Sequence, residues 1–164
     1  MNALRTGDKA AFEALYRDLK KPVYTILFRI LYNQDTAEDV MQDVFVKLFC
    51  SPPDPKVENL RAWIFQMARN LAIDTLRRKT GTDEPSEDYE DIRQSIADTV
   101  HERIEVEEAL AKLPEKERSI VTLHVNAGFN LRETAAILAM PQGTVRWKYR
   151  QAIGRLRDEL NGGK

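Results

Sequence analysis

Residues 131–151, LRETAAILAMPQGTVRWKYRQ, decide the fold of this chain. Apolar and small residues recur in them at helical spacing on both sides of Pro141, which suits the first turn of a new helix because its missing N–H costs nothing there. Ala135 is small where two helices would cross closely. The stretch therefore predicts two short helices joined by a tight turn, and the residues expected at their contact are Leu131, Ala135, Ile137, Leu138, Val145 and Tyr149.

The second of these helices carries a basic face, on which Arg146, Trp147, Arg150 and Gln151 would be exposed. Arginine and glutamine side chains read base edges bidentately in the major groove of DNA. The alternative is an ordinary solvated face, because arginines on helices usually face water. A preceding helix opened by Pro114 completes the arrangement of a helix-turn-helix, and we therefore favour DNA binding.

The composition is that of a folded protein with one ordinary domain or two small ones. The chain has 164 residues, of which 43% are hydrophobic and 31% charged. Its single cysteine, Cys50, excludes an intramolecular disulfide and a cysteine-based zinc cluster. No apolar run approaches the length of a membrane span and the N-terminus lacks a signal pattern, so we expect a cytoplasmic protein without a membrane span.

The net charge of −1 argues at first against a nucleic-acid partner, but the charges are unevenly distributed. Residues 60–80 and residues 132–164 each carry a net charge of +4, whereas residues 81–118 carry −8. Phosphate groups respond to the local field, so two basic segments separated by an acidic one remain compatible with DNA binding.

Before residue 80 the sequence pattern is helical throughout. Phe12 lies in a first predicted helix and Pro22 opens a second, while Asp35 or Thr36 can cap a third. Prolines in residues 51–55 exclude helix interior there, and a fourth helix follows from about Leu60. Residues 1–80 are therefore predicted to form one small helical domain.

An acidic linker and a second domain follow. Residues 80–91 contain six acids and no base, a composition that favours a flexible tether, and we place the linker at residues 81–101. Helices are predicted near 102–113 and 114–126, ahead of the helix-turn-helix, which gives a second domain of residues 102–164. No strand-type alternation is present. The expected fold class is all-α, with two small helical domains joined by an acidic flexible linker and a helix-turn-helix in the second.

Four polar residues share one face of the third predicted helix: Glu38, Asp39, Gln42 and Asp43. Acids early in a helix are favoured by its dipole, so capping of a solvated face is one interpretation. An acidic docking surface for a partner protein is the other, and the pattern alone does not choose between them. A catalytic carboxylate pair is the weakest interpretation, because no His, Cys or Lys lies nearby in sequence.

The fourth helix interleaves aromatic residues with arginines, a pattern that suits single-stranded nucleic acid, in which bases stack and phosphates pair. The alternative places Trp63 and Phe65 in the core, and for Trp63 we favour the core because its apolar neighbours follow at helical spacing. Arg69 and Asn70 are expected on the opposite face as contact candidates.

Signatures of enzymes are missing from the sequence. His101 and His124 fit neither a metal-ligand nor a nucleophile–base spacing, and no glycine loop could hold a phosphate. We expect a protein that is not an enzyme and uses no cofactor or metal, with both histidines at the surface or between helices.

Together these residues resemble the extracytoplasmic-function (ECF) sigma factors of bacterial RNA polymerase. The likeness covers residues 11–79 and 107–160, and the most specific stretch is TAEDVMQDVF at residues 36–45. In the family this stretch binds the β′ clamp helices of core polymerase. The resemblance therefore implies that the core-polymerase-binding residues are Glu38, Asp39, Gln42 and Asp43.

The resemblance also implies two DNA-binding elements. The helix over residues 63–78 would read and melt the −10 region, with Asn70 and the loop 51–59 holding an extruded single-stranded base. Residues 113–118 and 143–146 match the family's second domain, which reads duplex DNA at the −35 element and touches the β flap. The implied −10 contacts are Asn59, Arg61, Arg69, Asn70, Arg77 and Arg78. The implied −35 contacts are Thr144, Arg146, Trp147, Lys148, Arg150 and Gln151.

Three features depart from the family pattern: Trp147 replaces a small polar residue, Ala139 replaces a turn glycine, and the three-proline loop is atypical. They leave the promoter sequence open, and Trp147 could contact a thymine methyl group or a sugar. The family further implies an anti-sigma partner. The rival hypotheses are a stand-alone helix-turn-helix regulator, which would bind a palindrome as a dimer without polymerase, and an interaction module that has lost DNA binding.

Overall fold

The structure is a computed structural model that describes residues 8–54, 56–80 and 104–162. The chain divides into two compact units, residues 1–79 and 80–164. All regular structure in the described residues is helical, which confirms the predicted all-α class. The linker predicted at 81–101 and the residue His101 lie outside the described residues.

The first unit contains helices α1 (Lys9–Leu31), α2 (Gln34–Cys50) and α3 (Leu60–Thr80). Helices α1 and α2 pack side by side, and aromatic rings join their outer ends. Phe12 lies 5.2 Å from Phe49 and Tyr16 lies 4.8 Å from Phe45, both edge to face between ring centroids. The largest fully buried side chains of the unit are Val23, Ile26, Leu27, Val44, Leu48, Ile64 and Phe65.

The two helices predicted on either side of Pro22 are in fact the single helix α1, so that prediction was wrong. Pro22 removes one backbone donor, the N–H that would reach the carbonyl of Asp18. Asp18 is exposed, so water can hydrate the carbonyl. The apolar stripe continues through the proline at helical spacing, and packing against α2 keeps one helix because it outweighs a single lost hydrogen bond.

Asp8 caps α1, and asparagines cap the other two helices of the first unit. The side chain of Asn33 accepts a hydrogen bond of 2.8 Å from the amide of Thr36, so neither Asp35 nor Thr36 caps α2 as predicted. Asn59 accepts one of 2.9 Å from the amide of Ala62 at the start of α3, whose predicted beginning near residue 60 is confirmed.

The second unit contains α4 (Ile104–Ala111), α5 (Glu115–Val121), a π-helical turn (Thr122–Asn126), α6 (Leu131–Ile137) and α7 (Gln142–Gly162). Helix α7 packs against the other three α-helices. The predicted helix over 114–126 therefore changes hydrogen-bond pattern at residue 122. Pro141 precedes α7 instead of lying in its first turn, and its carbonyl accepts from the amide of Val145 at 3.1 Å.

Two buried charges hold α5 in place. The guanidinium of Arg118 donates hydrogen bonds of 3.1 Å to the carbonyls of Ala111 and Leu113, and so satisfies the end of α4. Glu117, whose side chain is only 5% exposed, accepts one of 3.0 Å from the Arg155 guanidinium on α7. A buried carboxylate of this kind requires its partner, so the pair ties α5 to α7.

Helix α6 is capped at both ends. Helix α6 opens with a capping box between Asn130 and Glu133. At its other end, Ala139 donates to the carbonyl of Ala136 and Met140 to that of Ala135, which is the Schellman pattern. That pattern places Ala139 at a φ of +51°, a conformation that normally selects glycine.

Replacing Ala139 with glycine is expected to stabilise the second unit by about 1 kcal/mol. A non-glycine residue in the left-handed region costs ~1–2 kcal/mol, and the substitution removes this cost. Glycine's greater freedom in the unfolded chain offsets part of the gain. Native-state hydrogen exchange of residues 104–162 in the full chain measures the change. The matched control is Ala136→Gly, an exposed helical position where glycine should instead destabilise by about 1 kcal/mol. Equal destabilisation by both substitutions would contradict the strain argument.

Candidate functional site

The exposed face of α7 is the first candidate surface. Val145 and Ala152 are fully buried against the unit, and the four residues predicted to be exposed are all exposed. These exposed residues are Arg146, Trp147, Arg150 and Gln151. Thr144 and Lys148 are half-buried at the sides of this face, and the Lys148 ammonium lies 5.5 Å from the centroid of the Trp147 ring.

Contacts from the π-helical turn fix the orientation of α7. The ring of His124 meets that of Tyr149 edge to face, with 4.9 Å between centroids. Its Nδ1 lies 2.6 Å from the carbonyl oxygen of Phe129, beside Gly128 at a φ of +72°. The expectation that His124 lies between helices is thus confirmed, and its role is to support α7.

The second surface is the acidic face of α2, which we define as Glu38, Asp39, Gln42 and Asp43. All four side chains are exposed, while Ala37, Val40, Val44 and Leu48 on the other side of the helix are buried. Because α2 begins at Gln34, these residues lie beyond the first turn. The helix dipole acts mainly within that turn, so capping does not account for them.

Two residues that lie beside the acidic face were not identified from the sequence. Tyr24 of α1 is half-buried, and burial raises the pKa of its hydroxyl, with the charges of Glu38 and Asp35 adding to the shift. Val46 is 60% exposed and follows Asp43 on the same side of α2. Its departure from the buried spacing of Val44 and Leu48 was a signal in the sequence, since a valine off the apolar stripe must face solvent.

The third surface lies on α3. Phe65 is fully buried and therefore cannot stack on bases, and Trp63 is half-buried, between the two predicted alternatives. Asn70 is exposed as expected. Arg69 was predicted on the same open face but is half-buried, because it follows Phe65 by one turn and so lies at the edge of the core.

A shallow cavity of about 320 Å³ opens beside Asn70. We expected the loop 51–59 to form such a site with Asn70, but the cavity is bounded by α2 and α3. Its lining residues are Lys47, Trp63, Gln66, Met67, Asn70, Leu71 and Asp74. The carbonyl oxygen of the Asn59 side chain serves as the helix cap. The side chains of Arg61, Arg77 and Arg78 are exposed along α3, and Arg61 lies 6.0 Å from the ring centroid of Phe65.

None of the helices in the described part of the chain is long and apolar enough to cross a bilayer. Within residues 8–54, 56–80 and 104–162, no group of His, Cys, Asp and Glu side chains is arranged to hold a metal ion. The fold and surfaces define a class of protein: a two-unit helical DNA-binding factor with a helix-turn-helix and a separate exposed acidic face.

Comparison with known proteins identifies the family. The Sigma-70 region 2 family model matches residues 15–82, and the Sigma-70 region 4 model matches residues 109–158. The ECF RNA polymerase sigma factor RpoE of Cereibacter sphaeroides is 30% identical over 98% of this chain and 93% of its own length. The ECF sigma factor SigW of Bacillus subtilis is 27% identical over 96% of this chain and 92% of its own length.

The fold is also that of a solved sigma factor. RpoE of Bartonella quintana, crystallised with the anti-sigma factor NepR, superimposes with a TM-score of 0.70 at 20% identity, over 91% of this chain and 98% of that one. The chain belongs to the ECF sigma factor family of bacterial RNA polymerase. It is therefore a transcription initiation factor that directs core polymerase to specific promoters.

Proposed function

We propose that this sigma factor divides promoter recognition among the three surfaces described above. In chain order, residues 1–80 bind core polymerase and the −10 region, residues 81–101 form the acidic tether, and residues 102–164 read the −35 element. The protein itself catalyses no reaction, uses no cofactor and acts in the cytoplasm, where polymerase and DNA meet.

The acidic face of α2 is the proposed docking surface for the β′ clamp helices of polymerase. Four exposed polar side chains lie outside the first turn, so their position needs a reason other than helix capping. Exposed Val46 extends them with apolar area, and a docking surface commonly combines such area with charges that select the partner.

Helix α3 is the proposed −10 element. Arg61, Arg77 and Arg78 would pair with phosphates, and Asn70 at the mouth of the cavity would contact an extruded base. Asn59 also caps α3, and Arg69 lies at the edge of the core. We therefore expect these two residues to contribute less to DNA binding.

Helix α7 is the proposed −35 reader, and its geometry carries the proposal most directly. Val145 and Ala152 anchor one side of the helix while the arginines and Gln151 stand exposed on the other, ready to enter a major groove. Thr144 and Lys148 lie at the margins of this face, where phosphates would be met. The remaining unit surface would touch the β flap.

A regulatory partner completes the proposal. The Bartonella relative was crystallised with an anti-sigma factor, and we propose that a protein of this type masks the polymerase-facing surfaces of the present chain until a signal releases it.

Run-off transcription tests the proposed function. Purified core polymerase is given a panel of genomic promoter fragments with and without this protein. New start sites that require the protein are expected, and they would yield its promoter sequence. Polymerase-independent binding to duplex DNA without new transcripts would instead support a stand-alone helix-turn-helix regulator.

A further inference from the structure

Trp147 stands at the centre of the exposed face of α7. At ~100° per residue, it is rotated by about 200° from Val145, the fully buried residue that marks the packed side. It therefore points almost directly away from the protein, and 57% of it is exposed. Arg150 and Gln151 flank it on either side in helical projection.

The surroundings of the ring keep it open to a ligand. A helical side chain leans toward the N-terminus, over the residue four positions earlier, which here is Gly143. Apart from the two neighbouring residues and the backbone of the helix itself, no atom lies within 4 Å of where a Cβ of Gly143 would stand, so no other part of the unit covers this turn. The Lys148 ammonium lies over the ring, 5.5 Å from its centroid, and with this contact in place 57% of Trp147 is still exposed.

The position in the helix determines what the ring would meet. When a recognition helix lies in the major groove, residues near its N-terminal end reach base edges, and those at the sides reach the sugar–phosphate walls. Trp147 is the sixth residue of α7 and lies on its central line. It is thus directed at the floor of the groove, which favours a base over a sugar.

The chemistry of the indole then selects the base. The ring offers a flat apolar surface, and its single N–H cannot make the bidentate contacts by which arginine reads guanine. The apolar group exposed on the floor of the major groove is the 5-methyl group of thymine. We infer that Trp147 determines promoter specificity by packing on a thymine methyl group within the −35 element, an inference that rests on the proposed role of α7.

Replacement of thymine by deoxyuridine tests this directly, because it removes only the methyl group. Holoenzyme assembled from core polymerase and the full chain is bound to a promoter found by run-off transcription, with each −35 thymine replaced in turn. Removal of one buried methyl group should weaken binding about fourfold, at one thymine or two adjacent ones. The Trp147→Ala holoenzyme should show no such loss at that position, and Trp147→Phe should keep part of it.

The control variant is Arg157→Ala, which changes an exposed residue further along α7 and should retain the full deoxyuridine effect. Equal binding of thymine and deoxyuridine at every position, or an unchanged effect in Trp147→Ala, would overturn the inference. A loss of promoter binding by the Trp147→Ala holoenzyme that is equal for all −35 sequences would also overturn it, because such a loss would indicate a sugar contact. Failure of the proposed −35 role is distinguishable, because then no base-pair change in that element would affect the unmodified holoenzyme.

Discussion

Replacing Arg146 and Arg150 together with alanine is expected to abolish transcription from promoters that depend on a −35 element. Both side chains are exposed on α7, away from the buried anchor Val145, so the substitution should leave the fold intact. A bidentate arginine–base contact is worth about 1–3 kcal/mol, so loss of two should reduce promoter affinity roughly 30-fold to 10⁴-fold. Run-off transcription and holoenzyme binding to the same promoter measure the effect.

Association with core polymerase should be unchanged in this variant, because α7 is proposed to face DNA. A charge-matched control is Arg17→Ala combined with Lys21→Ala, which removes two exposed cations from α1, outside all three proposed surfaces. It should cause only a small loss that diminishes at high salt, as expected when screened surface charges are removed. Unchanged transcription in the Arg146/Arg150 variant would reject α7 as the recognition helix.

Replacing Asp39 and Gln42 with alanine should have the opposite effect: weak polymerase binding with the fold preserved. Both residues are exposed in the acidic face of α2, and neither contributes to the buried core. Truncating a charged hydrogen-bonding group in a desolvated interface costs about 2–5 kcal/mol, which corresponds to a loss of roughly 30-fold or more. Fluorescence titration of labelled sigma factor with core polymerase measures this affinity.

The matched control is Asp18→Ala, which removes the same single charge from an exposed position on α1 of the same unit. We expect normal polymerase binding from it. The thermal unfolding midpoints of both variants should match that of the unmodified chain, since surface substitutions usually change stability by less than about 0.5 kcal/mol. If the Asp39/Gln42 variant and the control bind polymerase with equal affinity, the acidic face of α2 is not the docking surface.

Much of the second unit could be predicted from the sequence because its signals are local. The apolar spacing around residues 131–151 gave both helices and the buried contact at Val145, and the remaining positions on α7 followed from helical geometry. The exposure of the acidic face followed in the same way from the stripe of Val40 and Val44. A side chain's direction on a helix depends only on its position relative to its neighbours in sequence, so periodicity suffices.

The misjudged features depend on contacts between residues distant in sequence. Pro22 is locally typical of a helix start, yet α1 continues through it because α1 packs against α2. For Phe65 the sequence left a nucleic-acid surface and the core as alternatives, and Phe65 lies in the core; Arg69 was expected on the exposed face but lies at the edge of the core. The cavity beside Asn70 arises where α2 and α3 meet, and no local pattern specifies that meeting.

The sequence by itself determined the helical class, the helix-turn-helix, the family and the exposed faces of α2 and α7, since each depends on spacing or on a contiguous motif. Only the tertiary structure decided the continuity of α1, the ion pair between Glu117 and Arg155, and the cavity beside Asn70. The reason is physical. Burial free energy and buried hydrogen bonds belong to pairs of elements, and they override the preferences of a single segment wherever the two disagree.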